Sequence, residues 1–223
     1  MIIYFSNKTY FFTHIHYFCK QTATPMKLRY SALVIFLILF IDQFVKIYVK
    51  THFYYQESYE VLSWFNITFI ENKGMAWGTQ IPGQYGKLAL TIFRIFAVFA
   101  IAYWLWDASK TKKSNYLLVA ICLIFAGAVG NILDSVFYGV LFNNSISDTV
   151  ATLFSSNPYG TWFHGNVVDM FDFPIWEGYL PAWIPVWGGE PFRFFNAIFN
   201  VADFSICVGV GILIVFNKKA FDS

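Results

Sequence analysis

Carboxylate and carboxamide side chains occur inside stretches of the chain that are otherwise apolar. Asn200 and Asp203 are three residues apart in "FNVADFSICVGVGILIVFNKK" and therefore share one face of a helix. An ionisable group in a membrane span is costly, so it is usually functional and faces the protein interior or water. The competing interpretation is a carboxylate that lies among the lipid headgroups. Similar groups in other apolar stretches are Asp42, Asn131 and Asp134.

A further carboxylate, Asp169, lies in the apolar setting "VVDMF", within a segment predicted to be a loop. Two carboxylates in a site of low dielectric constant can share one proton, because like charges so close cannot both ionise. One then acts as general base on a water molecule, while the protonated one polarises a carbonyl group. Asp169 could instead cap or solvate the loop, and Asp172 is a rival carboxylate three residues further on.

This chemistry requires neither a metal ion nor a cofactor. The sequence contains no zinc motif of the H-E-x-x-H type and no glycine-rich phosphate loop. His164 is a single loop histidine, which is more often structural or solvated than a catalytic base. We therefore predict that the site holds no metal and no cofactor.

The composition indicates an integral membrane protein. Of the 223 residues, 57% are hydrophobic and only 13% are charged, and the mean hydropathy is +0.52. A soluble domain contains about a quarter charged residues. The formal net charge of +2 is too small to suggest a nucleic-acid partner.

Four stretches contain the roughly 20 apolar residues that cross a bilayer as a helix. They cover about residues 30–49, 87–106, 116–136 and 195–216. The predicted fold class is therefore an all-α integral membrane protein with four transmembrane helices, extending over residues 26–219. We expect residues 1–25 to be a disordered extension, with Met26 as the true initiator, and residues 220–223 to be a tail.

Basic residues flank the predicted spans on one side. They are Lys27, Arg29, Lys110, Lys112, Lys113, Lys218 and Lys219. By the positive-inside rule these clusters and both chain termini are cytoplasmic. The polar residues inside the spans then gather at one depth, near the outer surface. Residues placed independently would be scattered between both leaflets, so the common depth favours a shared site.

The two outer connections, roughly 50–86 and 137–194, differ in pattern. "FNITFI" predicts a strand and Asn72-Lys73-Gly74 a turn, so we expect a small extracytoplasmic β-sheet on the membrane surface. Asn72 could serve the turn alone. The second connection is rich in tryptophan, which favours the membrane interface, and is predicted to be a surface-lying loop or helix segment.

Five motifs, in this order, resemble those of lipoprotein signal peptidase, also called signal peptidase II. They are "DQFVK" (42–46), "ENKGMAWG" (71–78), "GAVGNILD" (127–134), "VVDMF" (167–171) and "FNVAD" (199–203). Each motif alone is weak, but five in order and on one side of the membrane are specific. The resemblance extends from about Met26 to Lys219.

The resemblance implies an aspartic endopeptidase of the bacterial cytoplasmic (inner) membrane. Its substrate would be a diacylglyceryl-modified prolipoprotein, cut just before the lipidated cysteine, and globomycin would be an inhibitor. Its catalytic pair would be Asp169 and Asp203. The residues that would support this pair or contact substrate are Asp42, Lys46, Asn72, Gly74, Asn131, Asp134 and Asn200. The enzyme could work as a monomer in contact with membrane lipid.

Two features depart from the family pattern. Ser135 stands where the family usually has an arginine, for which Arg94 or Arg193 are possible replacements. The connections from Asp134 to Asp169 and from there to span four are longer than in compact family members, so Asp172 stays open as an alternative.

Two other classes stay open from the residues. A transporter could use intramembrane carboxylates to relay protons, although such sites usually lie nearer the midplane and on repeated halves. An enzyme relative without activity is the other, and Ser135 is its only support.

Overall fold

The computed structural model describes residues 26–72 and 85–222. Its helices are α1 (Leu28–His52), α2 (Gly86–Lys110), α3 (Asn115–Leu133), the short α4 (Gly139–Leu141), α5 (Val201–Val215) and α6 (Asn217–Phe221). A π-helical segment, Asp134–Tyr138, joins α3 to α4. The predicted extension 1–25 and Gly74 lie outside the described residues.

Three helical segments in the described part of the chain are long and apolar enough to cross a membrane. They are α1, α2 and the continuous stretch Asn115–Leu141, whereas α5 is apolar but has only 15 residues. The predicted span 195–216 is longer than α5 because Asn200 caps the helix and residues 195–200 are not helical. Residues of the predicted tail continue as the helix α6.

Large apolar side chains cover the outside of the helices. Phe36, Phe40 and Phe44 follow each other at four-residue spacing on α1 and are 59–63% exposed. Phe93 and Phe96 of α2 are each 69% exposed. Water would disfavour such stripes, but lipid tails are as apolar as these side chains. The outer surface of the helices therefore fits a membrane.

Helix α3 is the central helix and packs against α1, α2 and α5. Its contact with α5 depends on glycine: a Cβ added at Gly127 would lie 2.2 Å from the Ala202 carbonyl oxygen, and one at Gly209 would lie 2.8 Å from the Ala120 carbonyl oxygen. Such small residues allow two helix backbones to approach closely. This close approach brings the polar residues of the two helices together.

Both ends of the described chain lie beside the connection between α2 and α3. The Met26 backbone N–H donates to Asn115 Oδ1 at 2.6 Å, and Ser114 Oγ donates to the Ala220 carbonyl oxygen at 3.1 Å. The basic residues that flank the helices therefore gather at one end of the bundle.

The predicted small sheet is present, but it draws on both connections. Strands β1 (Ser58–Leu62), β2 (Phe65–Asn72) and β3 (Val167–Asp172) form an antiparallel sheet in the order β1-β2-β3. Strands β4 (Trp176–Tyr179) and β5 (Pro191–Phe194) form a separate hairpin. The second connection thus contributes strands where the sequence predicted a loop or helix. The sequence of β3 shows no alternation of apolar and polar residues, because this strand is buried on both faces.

The sheet packs on the end of the bundle opposite the basic clusters. Its buried side chains form one core with residues of α1 and of the segment after α3. The fully or almost fully buried members of this core are Val49, Phe69, Tyr138, Phe142, Ala151, Val168 and Met170.

Candidate active site

Asp203 lies in the first turn of α5 and is held there by a reciprocal cap. Asn200 Oδ1 accepts a hydrogen bond from the Asp203 backbone N–H at 2.9 Å, and Asp203 Oδ2 accepts one from the Asn200 backbone N–H at 3.3 Å. This capping box satisfies backbone donors that a helix start leaves unpaired. The other carboxylate oxygen, Oδ1, accepts from Asn131 Nδ2 at 2.7 Å.

Asp169 lies in strand β3, and the expectation that it belongs to an irregular loop is wrong. Its side chain is buried, and its Oδ1 accepts a hydrogen bond from Asn200 Nδ2 at 2.6 Å. Asn72 hydrogen-bonds the same carboxyl group from strand β2. Asn200 therefore contacts both candidate catalytic carboxylates, Asp169 through its side chain and Asp203 through its cap.

Asn131 and Lys46 connect this pair to the rest of the bundle. Asn131 Oδ1 accepts from Lys46 Nζ at 2.9 Å and from Asn200 Nδ2 at 3.1 Å. Because an ammonium group can only donate, it determines which end of the Asn131 amide is the oxygen. The Asn131 NH₂ group is then directed at Asp203.

A buried ion cluster supports the site. Lys46 Nζ lies 2.9 Å from both Asp42 Oδ2 and Asp134 Oδ2, and all three side chains are 0% exposed. Gln43 Nε2 donates to Asp42 Oδ2 at 3.1 Å and to Asp134 Oδ1 at 2.9 Å. Buried charges persist only when paired and hydrogen-bonded, as they are in this cluster.

The two acids of this cluster each fix one of the elements that carry the pair. Asp42 Oδ1 accepts from the Ala202 backbone N–H at 2.8 Å and so caps the N-terminus of α5. Asp134 Oδ2 accepts from the Val168 backbone N–H at 3.2 Å, next to Asp169 in the chain. The cluster therefore positions α5 and β3 relative to each other.

The pKa of Asp169 rises from 3.8 to about 7. Burial is the main cause, and the like charge of Asp203 adds to it, whereas Lys46 and the hydrogen bonds from Asn72 and Asn200 act in the opposite direction. A carboxyl group with this pKa can give up or take a proton near neutral pH, as acid–base catalysis requires.

The rival residue Asp172 has other partners. Its Oδ1 accepts from Arg193 at 2.6 Å and its Oδ2 from Thr68 at 3.3 Å. Arg193 also pairs with Glu177 at 2.9 Å, so it ties the β4–β5 hairpin to β3. Both residues are thus engaged in a structural contact, which favours Asp169 over Asp172 as the partner of Asp203.

Ser135, at the position where the family usually has an arginine, carries only a small hydroxyl side chain. Ser135 is buried and its Oγ donates to the Asn131 backbone carbonyl at 3.0 Å. Of the two suggested replacements, Arg193 belongs to the hairpin contact. Arg94, which is half-buried on α2, interacts electrostatically with Asp203.

Sequence reasoning missed Gln43 as a member of the site. The side chain directly follows Asp42 in "DQFVK", and its amide also donates to the Gly130 carbonyl at 3.2 Å. Its position within the motif was the available signal. Within residues 26–72 and 85–222, no group of three His, Cys, Asp or Glu side chains is arranged to hold a metal ion.

The family model described as "Signal peptidase (SPase) II" matches residues 34–218 of the chain. The chain belongs to the signal peptidase II family. All five sequence motifs lie inside the matched range. The hypothesis of a signal peptidase II is therefore confirmed, and the transporter hypothesis is wrong, because members of this family are peptidases.

Curated relatives are named lipoprotein signal peptidase. The protein of Porphyromonas gingivalis is 45% identical over 187 residues, which is 82% of this chain and 80% of the relative. That of Amoebophilus asiaticus is 39% identical over 162 residues, 71% of this chain and 63% of the relative. That of Staphylococcus haemolyticus is 31% identical over 203 residues, 89% of this chain and 99% of the relative.

Solved structures support the same fold. One bacterial membrane enzyme has a TM-score of 0.59 at 25% identity, covering 91% of this chain and 96% of that chain. Another has a TM-score of 0.58 at 27% identity, covering 88% and 98% respectively. As a signal peptidase II, the protein is a membrane peptidase that processes lipoprotein precursors.

Proposed function

We propose that this signal peptidase II removes the signal peptide from diacylglyceryl-modified prolipoproteins, cutting just before the lipidated cysteine. The observation that carries the proposal is the pair Asp169 and Asp203. The two acids come from different elements, are joined through Asn200, and lie beside the buried ion cluster of Lys46, Asp42 and Asp134.

In this mechanism the pair holds one proton and one water molecule, and the proton resides on Asp169. Asp203 takes a proton from the water molecule while the water oxygen attacks the scissile carbonyl carbon. Asp169 gives its proton to the carbonyl oxygen, which forms a neutral gem-diol. When the C–N bond breaks, the leaving nitrogen takes a proton from Asp203 and the gem-diol returns one to Asp169, so no metal or cofactor is needed.

The supporting residues hold the pair in place. The Asn131 amide donates to the Asp203 carboxylate at 2.7 Å and the Asn200 amide donates to the Asp169 carboxyl group at 2.6 Å, and Lys46, Asp42 and Asp134 anchor the elements behind them. Groups fixed in advance cost little reorganisation when charge moves in the transition state. Asn72, together with Gly74 from outside the described residues, completes the set that would meet the substrate backbone.

The substrate's acyl chains would remain in the bilayer while the peptide enters sideways. The lipid-facing surface begins beside the pair, because Phe204, the residue after Asp203, is 57% exposed. A lipid-anchored peptide could therefore reach the site without leaving the membrane. Globomycin, the family inhibitor implied by the resemblance, would occupy the same site.

We place the enzyme in the bacterial cytoplasmic membrane with both termini in the cytoplasm. Support comes from the basic residues, which gather at one end of the bundle near Met26, Ser114 and Ala220, and from the positive-inside rule. Helix α5 would then serve as the fourth span, and the sheet and active site would lie at the outer surface. Labelling of single cysteines at positions 112 and 58, both exposed, in intact cells would test this topology. Reaction at 112 from outside would contradict it.

The decisive experiment is cleavage of a purified diacylglyceryl-prolipoprotein in detergent by wild type and three isosteric variants. We expect Asp169→Asn and Asp203→Asn to lose activity by at least about a hundredfold while still binding globomycin. Asp172→Asn is the matched control and should retain activity. Normal cleavage by Asp169→Asn would refute the assigned pair, and equal cleavage of substrate without its diacylglyceryl group would refute lateral entry.

A further inference from the structure

A second buried polar cluster lies on the opposite face of the sheet from Asp169, with Glu71 of strand β2 at its centre. Glu71 Oε1 accepts hydrogen bonds from Lys50 Nζ and, at 2.7 Å, from Ser145 Oγ. Glu71 Oε2 accepts from Asn166 Nδ2 at 2.7 Å, and Asn166 Oδ1 accepts from Lys87 Nζ at 2.5 Å. Three separate parts of the chain thus donate directly to one carboxylate, and Lys87 is linked to it through Asn166.

Glu71, the centre of this cluster, is one of the last three residues of β2. A bulge interrupts the pairing of β2 with β3, because Ile67 lies opposite Phe171 and Ile70 lies opposite Asp169. Among residues 26–72 and 85–222, those that pair with β3 after the bulge are Ile70, Glu71 and Asn72. Three pairs are a short ladder, so their register requires a further constraint.

The alternation of side chains assigns the two faces. Ile70 and Asn72 point to the face of Asp169, whereas Phe69 and Glu71 point to the other. Contacts agree with this assignment: Asn72 hydrogen-bonds Asp169, and Lys50 lies 5.8 Å from the centre of the Phe69 ring. A slip of one residue would move Asn72 to the wrong face and Glu71 into the site.

We propose that Glu71 is a positioning residue: by holding the end of β2 in register against β3, it keeps the Asn72 amide on the Asp169 carboxyl group. The catalytic consequence rests on the proposed function, whereas the register itself does not. Nothing in the proposed mechanism uses Lys50, Ser145 or Asn166 directly. Their common contact with Glu71 gives them a role in the same positioning.

The chemistry of the cluster explains why a carboxylate stands at position 71. Burial by itself raises the pKa of Glu71, but the Lys50 ammonium and the hydrogen bonds from Asn166 and Ser145 more than offset it, so the pKa lies below its ordinary value. The side chain is 8% exposed and that of Lys50 is 0% exposed. A charged acceptor with three donors is a rigid anchor, because charge-assisted hydrogen bonds are the strong ones.

The test combines kinetics with a double-mutant cycle on the full-length enzyme. Glu71→Gln keeps the size of the side chain and should lower kcat by about tenfold or more with KM changed less than twofold, because a small displacement of a positioned group is expensive for catalysis. The same change in an Asn72→Ala background should have less than about a twofold effect, because Glu71 acts through Asn72. Equal effects in both backgrounds would overturn the proposal.

The pH profile gives a readout that loss of stability would not move. The Asn72 hydrogen bond opposes the rise of the Asp169 pKa, so its loss in Glu71→Gln should shift the high-pH limb of kcat/KM to higher pH. The charges facing Asp169 in this comparison, Asp203 and Lys46, are unchanged. Glu60→Gln, an exposed change in the same sheet, is the matched control and should leave both kcat and the limb unchanged.

Amide hydrogen exchange tests the register without any cleavage. In Glu71→Gln, the β2 amides after the bulge should exchange at least about tenfold faster, while those of residues 65–67 should not change. If wild type cleaves no prolipoprotein but this local change is seen, the proposed function fails and the positioning of β2 stands. Unchanged exchange after the bulge would overturn the positioning, whatever the activity.

A second variant guards against misfolding of Glu71→Gln, which leaves the Lys50 charge buried. The double variant Lys50→Met with Glu71→Leu removes both charges and should restore the folded state. It also lacks the contacts to Ser145 and Asn166, so its kcat should remain low. Full recovery of kcat together with stability would overturn the proposal.

Discussion

Replacing Asp169 by asparagine should stabilise the folded protein at alkaline pH. The pKa of Asp169 rises from 3.8 to about 7, first because of burial and then because of the neighbouring Asp203 charge. A rise of this size corresponds to about 4 kcal/mol by which the ionised side chain destabilises the folded state. Asparagine has nearly the same shape and no charge, so Asp169→Asn removes this cost and can still accept the hydrogen bond from Asn200.

The stabilisation must depend on pH. Below about pH 4 the carboxyl group of Asp169 is protonated in both the folded and the unfolded chain, so its burial costs no ionisation energy. Stability of the wild type is then lost as the pH rises from about 4 to about 7, and the loss stays constant above that range. The variant should therefore lie within about 1 kcal/mol of the wild type at pH 4 and exceed it by about 4 kcal/mol at pH 8, roughly 10 °C in Tm.

Thermal unfolding followed by tryptophan fluorescence, in one detergent at pH 4, 6 and 8, measures the effect. Asp172→Asn is the control: it removes the ion pair with Arg193, where Asp172 Oδ1 accepts at 2.6 Å, and should give no gain at any pH. An Asp169→Asn protein no more stable than wild type at pH 8 would refute the reasoning. So would a gain of the same size at all three pH values.

Three further predictions concern the bundle and the reaction. Gly127→Ala should lower the free energy of unfolding by about 1–3 kcal/mol or more, because its Cβ would lie 2.2 Å from a carbonyl oxygen of α5. Gly211→Ala, with no atom within 4 Å of the added Cβ, should be close to neutral in the same thermal unfolding assay. Lys46→Met should cost about 3–5 kcal/mol, because it leaves two buried carboxylates without their cation; wild-type stability would contradict the cluster's role. In steady-state assays of the wild type, kcat/KM should fall above about pH 7 as Asp169 loses its proton, and a flat profile from pH 6 to 9 would contradict its role as acid.

The lipid environment of the helices and the ends of the helices could be predicted from local residues. Long apolar stretches between basic clusters indicate spans, because hydropathy reports directly on contact with lipid. The start of α5 is also local, since Asn200 and Asp203 form a capping box within four residues. Predicting the span from hydropathy alone placed its beginning earlier, because the aromatic residues before Asn200 are apolar without being helical.

The strand that carries Asp169 could not be predicted in this way. Residues 167–172 are buried almost throughout, so they lack the alternation that reveals a half-exposed strand. Their partner, β2, lies nearly 100 residues earlier in the chain, and only the packed fold brings the two together. The same holds for Glu71, whose importance depends on a bulge and a register.

By itself, the sequence determined that this protein spans a membrane, which signal peptidase II motifs it contains, and which polar residues lie within its apolar stretches. Only the tertiary structure decided how these residues are paired: Asp42 with the Ala202 backbone 160 residues away, Asp134 with the Val168 backbone, and Asn200 with both acids. The physical reason is that hydropathy and caps act over a few residues. A hydrogen-bond partner across the bundle is chosen by the close packing of α3 on α5 and the register of β2 on β3.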